Sequence, residues 1–467
     1  MEDDLTNRFL GELLGEETPP TDVEWKDQVA LPLGKGGLGL NWAKDTAWVQ
    51  SLASIHACLR YLKDDEKESQ ISTPNGSGQS HWYLSNPRRF QRLQCLCRAA
   101  TATQKADLQC NGSRAKKRVQ DAKLRHPHQL LTLDKKISSQ ILRSYHAVLY
   151  HSLTTKWKKR VRDTPGRARD LRTALRVQSA SGPHAAVWSY AIPNNPVLTI
   201  PNTPFRLRLR RLMGRHPNYE VPPACACGEP LERDLQAIHF EFCAKGRVNV
   251  HNNVLRTIHD MTHTAGIPAH SEVMGRNVFR TCNDDKRLDI VFYNHFGLPP
   301  IIGDVTIWHP ATNTTVNDIL DTKNGTVMDR PGRALEQAIK NKQDKYGALC
   351  RDSGFDLEVY AMEHFGRMSK DLVELINRCF NNADNMWKND PRWNWTAPTR
   401  KTFWIQVISC TLQRSLGIKE ANLIKEAAQN PRALQGTDLD TYEWYNTWYD
   451  TWDWAPFGPM ECVVEND

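Results

Sequence analysis

Two short apolar stretches, Arg287-Leu-Asp-Ile-Val-Phe-Tyr293 and Ile301-Ile-Gly-Asp-Val-Thr-Ile-Trp308, constrain the fold more than any other part of this chain. Both have strand composition, and Asn294 to Pro300 between them carries the residues of a turn, so together they read as a hairpin. Each strand also carries one aspartate, Asp289 and Asp304. An acid inside an apolar strand is costly unless it is paired or bound to an ion. The two aspartates therefore read as a metal pair.

A cation to complement them is sought first two residues after the second acid, where metal nucleases built like restriction enzymes normally have lysine, but Thr306 stands there. The next source is the helix expected from Arg333 to Leu349, which offers Lys340, Lys342 and Lys345. Leu335, Ala338, Ile339, Tyr346 and Leu349 form its apolar stripe at about 100° per residue. Lys342 falls near the middle of that stripe, Lys345 at its edge and Lys340 opposite. Lys342 is accordingly ranked first and Lys345 second as a catalytic lysine, the alternative being that Lys342 runs along the surface to solvent. The chemistry this set suits is phosphodiester hydrolysis: Asp289, Asp304 and the Val305 carbonyl would hold Mg²⁺, and lysine would orient the attacking water. Glu272 is either a further metal ligand or an exposed carboxylate. His309 either contacts substrate or caps the strand end.

A second cluster lies upstream. Cys225, Cys227, His239 and Cys243 fall within nineteen positions. Two thiolates on a glycine-containing turn and a His/Cys pair one helical turn apart can supply four tetrahedral ligands, a closed site of the structural Zn²⁺ kind. The Cys-x-Cys spacing is tighter than usual, and the interval to His239 is long.

With 467 residues the chain has room for two to four domains. Residues 1–62 read as helical, 63–220 as a basic helical linker, 221–246 as the knuckle, 247–366 as the nuclease and 367–467 as a helical segment rich in Trp. Nine Lys or Arg lie between Lys156 and Arg176, and Arg206, Arg208, Arg210, Arg211 and Arg215 follow. Lys158, Lys159, Arg160, Arg206, Arg208, Arg210 and Arg211 are the candidate nucleic-acid contacts, such density being a footprint of phosphate neutralisation, with solvated helix faces as the alternative. Gly34, Gly36 and Gly39 match G-x-G-x-x-G, but a helical pattern follows where a βαβ unit would be needed, so they read as a structural turn. The last thirty residues carry eight acids and no Lys or Arg, with Trp444, Trp448 and Trp452 spaced to share a helix face. No window is apolar enough for a membrane span, and no basic, apolar leader opens the chain, so an intracellular, soluble protein without a membrane partner is expected.

Taken together, these residues resemble the C-terminal part of a non-LTR retrotransposon polyprotein of the type that carries a restriction-like endonuclease. Leu31 to Leu40 is similar to the segment after the reverse-transcriptase thumb, and Ser179 to Trp188 and Arg206 to Gly214 to the linker before the knuckle. Cys225, Cys227, His239 and Cys243 match that family's Cys-Cys-His-Cys element. Asp289, Asp304 and Lys342-Gln-Asp-Lys-Tyr-Gly347 match its endonuclease motifs, and Glu363-His-Phe-Gly366 the block that follows; Leu288 stands where such folds often have proline. The resemblance implies an α+β or α/β fold with a PD-(D/E)XK-like core between helical segments. It also implies target-site nicking of DNA, nuclear localisation, and element RNA, the polymerase part or a second copy as further partners. No Tyr-x-Asp-Asp-like polymerase core precedes Leu31. The other readings are a non-catalytic zinc-knuckle nucleic-acid-binding protein derived from such an element, or a translated remnant.

Overall fold

The computed structural model of the chain describes residues 2–14, 23–40, 149–157, 168–215, 224–229, 236–279, 287–293, 300–312, 331–386 and 399–429, with a few isolated positions besides. Residues 41–145, which hold the helical pattern expected after Gly39 and much of the expected basic linker, lie outside the described residues, as do Lys158 and the tryptophan-rich acidic tail.

The chain divides into two compact units, one mainly of residues 1–159 and one mainly of 160–467. In the first, α1 (Glu2–Leu14) and α2 (Val23–Ala30) accompany a helical stretch at 149–157. Its buried side chains include Trp25, Val29, Leu153 and Trp157. The Trp157 indole N–H donates to Glu24 Oε2 at 3.2 Å, which satisfies the one polar atom of a buried ring. The glycine-rich run follows a helix and not a strand. Gly36 and Gly39 have positive φ, and a Cβ on Gly37 would lie 2.1 Å from the Leu31 carbonyl oxygen. A tight turn needs glycine there for its backbone, with no dinucleotide site implied.

The second unit holds α3 (Ala168–Ala180), α4 (Asn202–Leu212), α5 (Gln236–Phe242) and α6 (Arg247–Thr264). Next come β1 (His270–Met274), β2 (Arg287–Phe292) and β3 (Ile301–Trp308). Helix α7 (Arg333–Asp352), β4 (Asp356–Glu363), α8 (Lys370–Met386) and α9 (Arg400–Ala428) complete it. The architecture is mixed α and β, with one four-stranded sheet in the order β1-β2-β3-β4 among the described residues. β1, β2 and β3 are antiparallel, and β4 returns parallel to β3 after α7.

Register decides what the acids do. Ile290 pairs with Gly303 and Val291 with Ile302. Continuing that register sets Asp289 opposite Asp304, on the same face of the sheet. α7 covers this face: Leu335 and Ile339 pack with Val359 and Ala361, and Tyr346, Leu349 and Cys350 with Val291 and Ile302. The apolar stripe of α7 is therefore what carries Lys342 to the acid pair. Helix α9 runs against α4 and α6 and is buried along most of its 29 residues, so it has little amphipathic character of its own. No described helix is long and apolar enough to cross a membrane.

Gly303 is what lets β3 and β4 lie together beside the site. A Cβ there would stand 2.2 Å from the ring of buried Tyr360. That ring is held by its hydroxyl, which donates to Glu358 Oε2 at 2.8 Å, and Glu358 is itself paired with Arg378. Overpacking of this kind costs about 1–3 kcal/mol. Gly303→Ala should lower thermal stability by that amount, measured by calorimetry; an unchanged melting temperature would show that the Tyr360 ring moves aside freely.

Candidate functional site

Asp289, Asp304 and Lys342 converge at the edge of α7. Lys342 Nζ donates to Asp304 Oδ1 at 2.9 Å and lies 2.8 Å from Oδ2, so it is paired with both carboxylate oxygens. Asp289 Oδ2 accepts from the Val305 N–H at 2.7 Å. Burial raises the Asp304 pKa, and Asp289 adds to the rise while Lys342 opposes it. Two like charges on adjacent strands and a desolvated carboxylate make this a place where added positive charge is stabilising.

That charge comes also from a residue the sequence reading missed. His251, on α6, brings Nε2 to 3.2 Å from Asp289 Oδ2 and 3.1 Å from the Val305 carbonyl oxygen. The hydrogen bond to Asp289 outweighs burial and lifts the imidazole pKa to about 9. The available signal was its place beside the apolar positions Val250, Val254 and Ile258, which puts it at the edge of the buried stripe of α6.

The remaining candidates lie elsewhere. Glu272 is exposed, has φ of +56° and pairs with Arg287 at 2.9 Å, with neither Asp289 nor Asp304 among its partners. Lys345 is exposed and stacks over Tyr346 at 4.7 Å, and Lys340 is exposed. His309 is buried. Its Nδ1 accepts from the Ala311 N–H at 3.1 Å and its Nε2 meets Glu241 Oε2 at 3.2 Å, so it closes the end of β3.

The second cluster forms as four ligand atoms within 4.8 Å of one another: Cys225, Cys227, His239 and Cys243. Cys225 Sγ lies 3.9 Å from Cys243 Sγ, and Cys227 Sγ 3.3 Å from His239 Nε2. A turn closed by the Gly228 N–H on the Cys225 carbonyl presents the first two ligands, with Gly228 at φ +91°. α5 and the residue after it present the other two, four apart. Tetrahedral bonds of about 2.3 Å to sulfur and 2.0–2.1 Å to nitrogen set ligand atoms about 3.5–3.8 Å apart, so this set could hold a metal ion with little movement.

The basic helix α4 requires a correction. Arg208, Arg210 and Arg211 are only 1%, 5% and 4% exposed, so they are not a phosphate-binding face. Arg208 donates to Gln413 Oε1, Glu241 Oε1 and the His364 carbonyl, at 2.9, 3.2 and 3.0 Å. Arg211 Nε donates to Glu420 Oε1 at 2.8 Å, and Lys419 Nζ to the Glu241 carbonyl at 2.9 Å. The guanidinium fork satisfies several buried acceptors at once, which is why arginine is tolerated inside. Charge density in a sequence does not tell which face of a helix it serves. Arg206 and Lys159 are exposed and Arg160 is half-buried.

Glu241 joins the two clusters. It sits on α5 between His239 and Cys243 and contacts His309, just past β3. Burial would raise its pKa, but the hydrogen bond and charge of His309, with Arg211 and Arg208, outweigh that and hold it well below the ordinary carboxylate range. Removing one partner of such a network costs about 3–5 kcal/mol, so Arg208→Met should lower thermal stability by that much. A depressed folded pKa gives stability that is full above the unfolded value, about 4.3, and is lost as pH falls below it. The gap in melting temperature between wild type and Glu241→Gln should thus hold near neutral pH and narrow below about pH 4; a gap independent of pH would contradict the ionised network.

Comparison of the chain with family profiles, with curated proteins and with solved structures gives no match.

Proposed function

We infer that the chain is a metal-dependent endonuclease with a structural zinc knuckle, the C-terminal part of a non-LTR retrotransposon protein. The observation that carries the reading is the Lys342 ammonium set on both oxygens of Asp304, with Asp289 across from it on the neighbouring strand. A mixed sheet whose crossover helix brings lysine to one of two facing strand acids fits a restriction-like core. The donors also fit a divalent ion, since two largely buried carboxylates, Asp304 and Asp289, stand near the Val305 carbonyl, which shares the His251 ring with Asp289. A cation held there would polarise the scissile phosphate and acidify the attacking water. Asp289 is aimed by the Val305 N–H. Lys342 would leave Asp304 for the phosphate or the water, orienting the nucleophile and offsetting the charge that builds in the transition state. The Cys₃His set suits zinc, whose closed tetrahedral site supplies folding energy and no open position for chemistry.

Purified full-length chain should nick supercoiled plasmid in Mg²⁺ or Mn²⁺ and stop in EDTA. Asp304→Ala and Lys342→Ala should each slow nicking by about 100–1000-fold, while Lys345→Ala stays near wild type. DNA binding with no nicking under any of these conditions would favour the non-catalytic, knuckle-bearing alternative instead. Elemental analysis should find one zinc per chain, and Cys227→Ser should lose it together with thermal stability; a zinc-free, equally stable wild type would sink the knuckle.

A further inference from the structure

His251 is not needed by the nuclease scheme above, yet it occupies the centre of it. Its Nε2 is within hydrogen-bonding distance of two of the three groups assigned to the catalytic ion, Asp289 Oδ2 at 3.2 Å and the Val305 carbonyl at 3.1 Å. Both are acceptors, so an electropositive atom belongs between them and Nε2: a proton in the metal-free chain, an ion in the loaded one. An octahedral ion with bonds of about 2.1 Å sets adjacent ligand atoms about 3.0 Å apart. The two observed separations are close to edges of such an octahedron. The other ring nitrogen is placed to keep its proton: Nδ1 lies 3.1 Å from Asn252 Oδ1, an acceptor, so it is Nε2 that would give up its proton to an incoming ion. An outer hydrogen bond of this kind is what usually orients a metal-binding histidine. α6 holds the backbone fast, with Val250, Val254 and Leu255 buried on either side, while the His251 side chain remains 30% exposed.

We propose that His251 is a ligand of the catalytic ion through Nε2, so that the site is two carboxylates, a carbonyl and an imidazole, and prefers Mn²⁺ to Mg²⁺. The inference rests on the reading of Asp289 and Asp304 as the nuclease metal pair. Imidazole adds little for Mg²⁺, which favours oxygen and holds its waters, but strengthens binding of first-row transition ions.

The test uses zinc-loaded, full-length chain and Mn²⁺ as the probe, followed by electron paramagnetic resonance in the absence of DNA. Pulsed spectra of the wild type should show one directly bound ¹⁴N, absent in His251→Ala. Titration should show Mn²⁺ bound at least about tenfold more weakly by His251→Ala, with a smaller change for Mg²⁺ measured by competition. Asp304→Asn should remove the same bound Mn²⁺. Binding that depends on Asp304 but shows no ¹⁴N coupling, or coupling and affinity that persist in His251→Ala, would overturn the role of His251 and leave the nuclease reading standing. Absence of any Asp304-dependent Mn²⁺ binding would overturn both.

Discussion

Two carboxylates facing each other across adjacent strands govern the packing around the sheet. The β2–β3 register sets Asp289 opposite Asp304, with Cβ atoms expected about 4.5–5.5 Å apart. Like charges at that distance oppose the pairing of the strands, and both side chains are largely shielded from water. Each therefore takes its own cation from a different helix: Lys342 from α7 for Asp304 and His251 from α6 for Asp289. Charge compensation and hydrophobic packing demand the same positions of these helices, since α7 also buries Leu335 and Cys350 on the sheet, and α6 buries Val254 and Ile258. A pairing of acids that is unfavourable alone is made stable by the layers around it.

A second set of buried charges joins the knuckle to the sheet. Arg208, Arg211, Glu241 and Glu420 exchange hydrogen bonds within the core at the meeting of α4, α5 and α9. Desolvating these ions is costly, and replacing all of them together by apolar side chains of equal shape is often neutral for stability, unlike removing one. What the ions add is directional: Arg208 satisfies three acceptors from three parts of the chain, so only one mutual arrangement of those parts is fully bonded. Glu241 extends the network to His309, five residues after Asp304. The four-ligand cluster and the aspartate pair are thus connected through α5 and β3, two well-packed elements of one unit.

The hairpin, the helix that follows it and the Cys/His cluster were legible in the sequence because each has a short-range signature. Strand composition with an acid in each strand, a 3.6-residue apolar stripe centred on Lys342, and four ligand types within nineteen positions all survive without knowledge of the fold. Burial of α4 was not legible. Arg208, Arg210 and Arg211 form a basic run, and acceptors distant in sequence, Glu241, Gln413, Glu420 and the His364 carbonyl among them, make it an interior one. His251 was missed for the same reason: its partner lies 38 residues away, and its place at the edge of the apolar stripe of α6 does not say what it meets. Glu272, by contrast, stood next to the strands in sequence but is turned by its positive φ toward Arg287. Contacts made by one element with itself can be read from periodicity; contacts between elements depend on register and helix rotation, which sequence spacing does not encode.

The central claim is that Asp289 and Asp304 hold an ion against a DNA phosphate. Crystals of the chain with a short DNA duplex and Mn²⁺, measured at the manganese absorption edge, test it most directly. The account requires an anomalous peak in contact with both carboxylates and with a phosphate oxygen, and with the Lys342 ammonium turned toward the same phosphate. DNA bound elsewhere on the protein, with no ion between the two aspartates, would contradict it.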